Sequence, residues 1–418
     1  MTMHVGATPQ ERETQRGALD GFAGAAMQSL FPTSKFSPRL LEDHPLPIRG
    51  TAPRIPVFKG IPSYSELVRF ATARRPLLLG IPLAASKAYR KCQLNCGFCF
   101  VEREERGGFL ELADHLRIME DFARLGGRYV RTATVGEPFL DRMFFNPEGV
   151  GGASRFPLIQ KANALGLWWT SFSNLLSVTA EIAEEVCEMD VSFIGKLHAL
   201  DPAIQEAMTG NTGHYASPKW ARFGEWHVPL NLKMLVDAGF NRAGECGAGA
   251  ATRLAVDIVA TQVNVRHIPA VVKFCLANNI YPFLEMLENV GDAKCNAKKF
   301  ALSEYQVEWL SDELTDLLGV GFFGEENRSC TNKFCPAFSS GLVYNPDGRI
   351  RYCYCVNAKT QWNLKEHGLK EAFSVLCDSR ETIRSHLDRS RSGEDVHLPL
   401  EPCPMGAHGS SVASSIVS

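Results

Sequence analysis

An α/β fold built on a parallel sheet of six strands follows from three observations. Short apolar runs alternate with helical patterns from about residue 82 to residue 317. Three of the helical runs stop at glycine: Gly126-Gly127, Gly166 and Gly239. Pro282, which cannot donate to a ladder, sits in the sixth apolar run, where only an edge strand accommodates it. Six strands are too few to close on themselves as eight do.

The elements follow in chain order. Residues 1–53 are polar and interrupted by proline and glycine, and read as an irregular extension. Leu67, Phe70 and Ala71 mark a short helix within 61–75. One strand precedes residue 92. Leu112, Leu116, Met119 and Phe122 share a helix face, and residues 129–135 form the next strand. A helix over 158–165 leads to a strand over 167–173. Ile182, Val186 and Met189 mark a helix, 191–197 a strand, and Asp201-Pro202 opens another helix. Residues 210–228 are a polar-aromatic insertion with Trp220 and Trp226, read either as a lid or as a surface loop with packed tryptophans. Leu232, Leu235 and Val236 lie on a helix, 254–260 is a strand, and Ile268 to Leu276 carry the next helix. The sixth strand covers 280–285. Ser303 and Gln306 form a capping box for a helix through 317. Residues 341–344 and 349–352 read as strands about the turn Asn345-Pro346-Asp347-Gly348, with a short helix over 364–373 after them.

At 418 residues the chain has room for two or three domains. Charge is balanced, with Lys+Arg 44 against Asp+Glu 46, which argues against a surface that coats nucleic acid. No apolar core of a secretory signal occurs in the first thirty residues, and the stretch around 76–85 is too short to span a bilayer. A cytoplasmic chain without membrane contact is expected. There the thirteen cysteines would serve metal binding rather than disulfides.

The stretch Lys91-Cys92-Gln93-Leu94-Asn95-Cys96-Gly97-Phe98-Cys99-Phe100 concentrates the chemistry. Three thiolates in so short a loop can surround one metal centre and leave one coordination position for something other than protein. A structural zinc site would need a fourth protein ligand, and no second pair of cysteines lies nearby. Three unrelated buried cysteines are the plain alternative. The spacing, with Phe98 before the last cysteine, resembles the signature of the radical S-adenosylmethionine (SAM) superfamily. That resemblance implies an open partial (β/α)6 TIM-type barrel over 81–320. It also implies a [4Fe–4S] cluster on Cys92, Cys96 and Cys99 whose fourth iron is chelated by SAM.

Further site residues follow from the same resemblance. Gly136, Glu137 and Pro138 close the second strand and resemble the segment that meets the SAM amino group. A carboxylate at a strand tip suits an ammonium. Ser171, Ser173 and Asn174 end the third strand, with one of them expected near SAM. Lys196 and His198 share a face at the end of the fourth and would meet SAM or substrate; a structural histidine is the alternative for His198. Glu285 and Arg253 are candidates for polar contacts in the pocket. Cys335, Gly348 and Cys353 resemble the opening of the SPASM and twitch domains. A small C-terminal α+β domain over 321–405 is therefore expected to hold one auxiliary [4Fe–4S] cluster, followed by a tail over 406–418. Its ligands would be Cys335, Cys353 and Cys403, with Cys330 or Cys355 as the fourth; zinc on the same residues is the alternative. Cys377 reads as helical and buried.

The implied reaction is reductive cleavage of SAM to a 5′-deoxyadenosyl radical that abstracts a hydrogen atom. Electrons would come from a flavodoxin- or ferredoxin-type donor. Dehydrogenation or epimerisation of a small hydroxylated or amino-bearing metabolite is the leading reading. Cys295 is a candidate hydrogen-atom donor, and Cys246 is a second cysteine of interest. Maturation of a ribosomal peptide is the alternative. A non-catalytic electron-transfer protein would need no SAM pocket, and Gly136-Glu137-Pro138 argues against it.

Overall fold

Alternation of apolar strand and helix produces six parallel strands laid side by side in chain order. The computed structural model describes residues 55–60, 62, 64–83, 92–99, 101, 109–132, 136–149, 154–216, 219–242, 251–287, 291–318, 340–351 and 359–378. The strands are β1 (Val57–Phe58), β2 (Leu78–Ile81), β3 (Tyr129–Thr132), β4 (Trp168–Ser173) and β5 (Val191–Lys196), followed by the hairpin of β6 (Trp220–Phe223) and β7 (Trp226–Pro229). Then come β8 (Ala251–Thr252), β9 (Leu254–Ala260), β10 (Tyr281–Met286), β11 (Gly341–Tyr344), β12 (Arg349–Arg351) and β13 (Lys359–Asn363).

The central sheet has the order β10-β9-β5-β4-β3-β2-β11-β12-β13. Every pairing from β10 to β11 is parallel, and the pairings of β11 with β12 and β12 with β13 are antiparallel. β10 is an edge strand, as Pro282 requires. The C-terminal hairpin continues the sheet, because Gly341, Leu342 and Val343 pair with Leu78, Leu79 and Gly80.

Register sorts the side chains onto two faces. Trp169, Ser171 and Ser173 of β4 share one face with Phe193 and Gly195 of β5 and Val256 of β9. Helices cover that face. Phe193 is fully buried against Phe139 and Phe240 at 6.0 and 5.5 Å between ring centroids, and Trp169 meets Phe144 at 6.0 Å. The other face carries Arg131, Phe172, Ile194, Lys196, Asp257, Phe283 and Glu285. Phe172 of β4 and Phe283 of β10 touch at 5.6 Å. Those strands are three intervals apart, about 14 Å in a flat sheet. The sheet therefore curls around this second face. β1 plugs its floor: Phe58 packs with Ile194 and Ala255 and stacks on Tyr281 at 5.8 Å.

Local signals hold at the ends of elements. Asp201 caps the helix Pro202–Thr209 by accepting from Ala203 N at 2.7 Å. Ser303 and Gln306 exchange the reciprocal bonds of a capping box before Glu304–Leu318. The turn 345–348 closes with Gly348 N donating to Asn345 O at 2.8 Å. The helix expected over 364–373 begins only at 369. Asn363 holds a turn first: its side-chain oxygen accepts from Lys365 N, and its amide donates to Asp347 O. Cys377 lies in that helix, half-buried. No helix among the described residues is long and apolar enough to cross a membrane.

Candidate active site

The C-terminal ends of parallel strands converge on one loop. Residues 92–99 follow β2, and each neighbouring element grips them. Asn95 N donates to Thr209 O at 3.1 Å, at the end of the helix after β5. Asn296 Nδ2 donates to Gly97 O at 3.0 Å, and Asp292 N to Cys99 O at 2.9 Å, both from the segment after β10. Asn174, just past β4, donates from Nδ2 to Gln93 Oε1 at 2.9 Å and to the Cys92 sulfur at 3.6 Å. Phe98 packs edge-on against His198 at 5.1 Å and Phe300 at 5.7 Å. Close approach at one point requires glycine. Gly210 has φ +92°, and a Cβ there would stand 2.3 Å from Asn95 O.

Cys92, Cys96 and Cys99 share this apolar pocket with Leu94, Phe98 and Phe300. Burial pushes the Cys92 thiol up, with Glu137 and Cys99 adding to the rise and the Leu94 and Asn174 hydrogen bonds opposing it. Cys96 is buried in the same cluster as Tyr215. Among the described residues, no three His, Cys, Asp or Glu side chains are grouped to hold a metal ion.

Glu137 ties the second strand end to the third. It caps the short helix Pro138–Leu140 and is buried. Oε1 accepts from Ser173 Oγ at 2.6 Å and Phe139 N at 3.4 Å, and Oε2 accepts from Asn174 N at 2.8 Å. A carboxylate has about four acceptor directions, so one remains. Burial raises its carboxyl to about 7 against these bonds and Lys196. Leu175 follows in a left-handed conformation, φ +62°, with its side chain in the space left by Gly195.

Lys196 and Asp257 face each other across β5 and β9, with Nζ 2.6 Å from Oδ2. Burial alone would lower the lysine, but Asp257, Cys96 and Glu285 outweigh it and hold the ammonium charged. His198 accepts from Val259 N at Nδ1, 3.2 Å, so its proton is on Nε2. Burial lowers it to about 3 and keeps it neutral. Among the described residues, His198 Nε2 and Asp257 Oδ1 are buried with no hydrogen-bond partner. A bound ligand or an ordered water satisfies atoms in that state.

The expected site residues separate by their partners, since Ser171 and Ser173 lie on one face but only Ser173 bonds Glu137. Glu137, Ser173, Asn174, Lys196 and His198 gather around the cysteine loop. Ser171 stands on the helix-covered face beside Thr132 Oγ1 at 3.5 Å. Arg253 is a correction. It lies at the start of β9, at the opposite end of the strands, where it donates to Cys187 O and Met189 O and covers the Phe240 ring. Cys295 is exposed, on the short helix Gly291–Cys295 whose first turn anchors Cys99. Cys246, Cys330, Cys335, Cys353, Cys355 and Cys403 lie outside the described residues. The tryptophans of the insertion pack on the main core: Trp220 is buried, with Nε1 donating to Tyr215 O at 2.6 Å, and Trp226 lies on Phe274 at 5.9 Å.

Tyr215 escaped the sequence reading. It is buried, and its hydroxyl donates to Asn174 O at 2.8 Å, while Glu206 accepts from its backbone N–H. Arg131 and Asp257 escaped too. Each is a charge inside an apolar strand, and that charge was the available signal.

No family model matches this chain, and no curated protein does. Among solved structures the chain is similar to Streptococcus suis SuiB bound to S-adenosylmethionine, with TM-score 0.46 and 18% identity over 74% of this chain and 69% of that one. It is similar to the same protein bound to precursor peptide SuiA, with TM-score 0.47 and 18% identity over 74% and 68%. It is also similar to anSMEcpe with bound AdoMet and Cp18Cys peptide, with TM-score 0.47 and 14% identity over 71% and 80%.

Proposed function

We propose that the chain is a radical SAM enzyme on an open partial (β/α)6 barrel, with the curled face as its reaction chamber. The observation that carries this reading is the anchoring of the loop 92–99 at the C-terminal strand ends by Asn174, Thr209, Asp292 and Asn296, near Asp257, whose Oδ1 has no partner among the described residues. The residues fit the implied groups. Three soft ligands in an apolar pocket suit an iron–sulfur cluster. The remaining acceptor direction of Glu137 suits the ammonium of SAM. When bound, cluster and SAM would supply reductive cleavage of the sulfonium and hydrogen-atom abstraction from an unactivated C–H bond.

The chain's own work is binding, orientation and exclusion of water. Asn174 holds Cys92 and Gln93 together, and Tyr215 holds Asn174. Phe98 and Phe300 keep the loop dry. Lys196 and Asp257 form a fixed charge pair on the chamber wall. Oxidation or epimerisation of a small hydroxylated or amino-bearing metabolite is the proposed outcome, with Cys295 as the candidate donor in an epimerase. An auxiliary cluster on the C-terminal cysteines belongs to the same proposal. The test is anaerobic reconstitution followed by reduction with SAM present. About eight irons per chain and release of 5′-deoxyadenosine are expected. Iron without any cleavage of SAM, even in the presence of substrate, would remove the reading.

A further inference from the structure

Two charged groups on the curled face stand without full partners. Arg131 is held between rings, its guanidinium carbon 4.5 Å from the Phe172 centroid and 5.9 Å from that of Phe283. No carboxylate among the described residues pairs with it. Stacking fixes the plane of the guanidinium and leaves its N–H edge free, the arrangement that recognises a planar anion in two-pronged fashion. Asp257 is 1% exposed. Lys196 occupies one of its oxygens, and Oδ1 has no donor among the described residues. Phe283 connects the two groups, since it lies in register with Asp257 and under Arg131.

We propose that this face selects a small molecule carrying both a carboxylate and an N–H or O–H donor, an amino or hydroxy acid. Arg131 takes the carboxylate, and Asp257 Oδ1 accepts from the donor group. The proposal rests on the reading of this face as the reaction chamber and narrows its substrate class. A neutral sugar or cyclitol would leave the arginine fork uncompensated. The interior of a peptide offers no backbone carboxylate.

The test screens the iron-loaded, SAM-saturated protein by ligand-observed NMR. Small amino and hydroxy acids are compared with their amides, with neutral polyols and with a capped peptide containing glutamate. The proposal expects at least one acid to bind about 10- to 100-fold tighter than its amide. Arg131→Met should abolish that preference, Arg131→Lys should keep part of it, and SAM affinity should be unchanged in both. Asp257→Asn should weaken an amino or hydroxy acid but not the matching acid without the donor.

Four outcomes overturn the proposal: no acid exceeds its amide, the preference survives in Arg131→Met, a polyol or the peptide binds tighter than every acid, or Arg131→Met weakens SAM itself. The comparison of acid with amide needs no variant, so a variant that fails to fold leaves the test intact. Protein that binds SAM but prefers no acid fails this proposal alone. Protein that binds no SAM fails the reading beneath it.

Discussion

The two faces of the same strands solve opposite problems. On the helix-covered face, polar groups are few and mostly settle among themselves: Ser173 donates to Glu137, Thr132 meets Ser171, and the rest is Trp169, Phe193 and the helices over them. Among the described residues, the indole nitrogen of Trp169 and Asp141 Oδ2 are buried on this side without a partner. On the curled face, aromatic rings are interleaved with Arg131, Lys196, Asp257 and Glu285, and Asp257 and Arg131 keep unmet capacity. One face is built to be finished by folding, the other by a ligand. Alternation along a strand lets one segment serve both, since adjacent residues such as Phe172 and Ser173 answer to different environments.

Removal of a cysteine sulfur should separate chemistry from fold most completely. Cys96→Ala is expected to lower iron by about four per chain and to abolish SAM cleavage. Its apo thermal midpoint should stay near that of the parent. Retained iron and cleavage would break the assignment of the loop.

The reverse experiment acts on the fold. Phe193→Ala empties a fully buried site among Phe139 and Phe240 and should cost about 3–5 kcal/mol in denaturant unfolding. Phe172 is half-buried beneath Arg131, and Phe172→Ala should cost under half as much. Equal losses would erase the contrast between the faces.

Acid–base behaviour sharpens the contrast at the boundary. Glu137 is raised from 4.5 to about 7 by burial. Between those values the unfolded chain releases the proton first, so this group makes stability fall as pH rises from about 4.5 to 7. The integrated contribution is about 3 kcal/mol. His198 has the opposite sign. Its value is depressed from 6.5 to about 3, so its contribution is lost as pH falls below about 6.5. Glu137→Gln should therefore gain stability relative to the parent on going from pH 4.5 to 7, measured by urea unfolding of the apo protein. A difference independent of pH would show that burial does not raise this carboxyl.

Much of the scaffold was legible because its signals are local. Asp201-Pro202, Ser303 with Gln306, and Asn345 to Gly348 specify their own caps and turns within four residues. Pro282 marked its strand as an edge. The site was legible only in part. Period two grouped Ser171 with Ser173 but could not say which face meets helices; that depends on how the sheet curls. Arg253 looked like a pocket residue by its place beside a strand, yet it stands at the end where strands begin. Gly210 appeared only as the first residue of the polar-aromatic insertion. Its second role, admitting Asn95, joins positions more than a hundred residues apart. Gly210→Ala should cost about 1–2 kcal/mol in backbone strain. It should also shift the cysteine loop, seen as slower iron uptake at unchanged secondary structure.

The smallest expected effect tests the most distant link. Tyr215 touches neither strand nor cysteine loop through its hydroxyl. It donates to the carbonyl of Asn174, whose side chain in turn holds Gln93 and Cys92. Tyr215→Phe keeps the ring in its buried place and removes one hydrogen bond, which should cost about 0.5–1.5 kcal/mol of stability. If the carbonyl serves only to complete local pairing, the consequence ends there. If it fixes the angle at which Asn174 presents its amide, the loaded protein should also show an altered cluster spectrum and potential, because a donor near a ligand sulfur tunes the iron. A loss of stability with an unchanged spectrum would place Tyr215 with the helix-covered face in function, whatever its position in space.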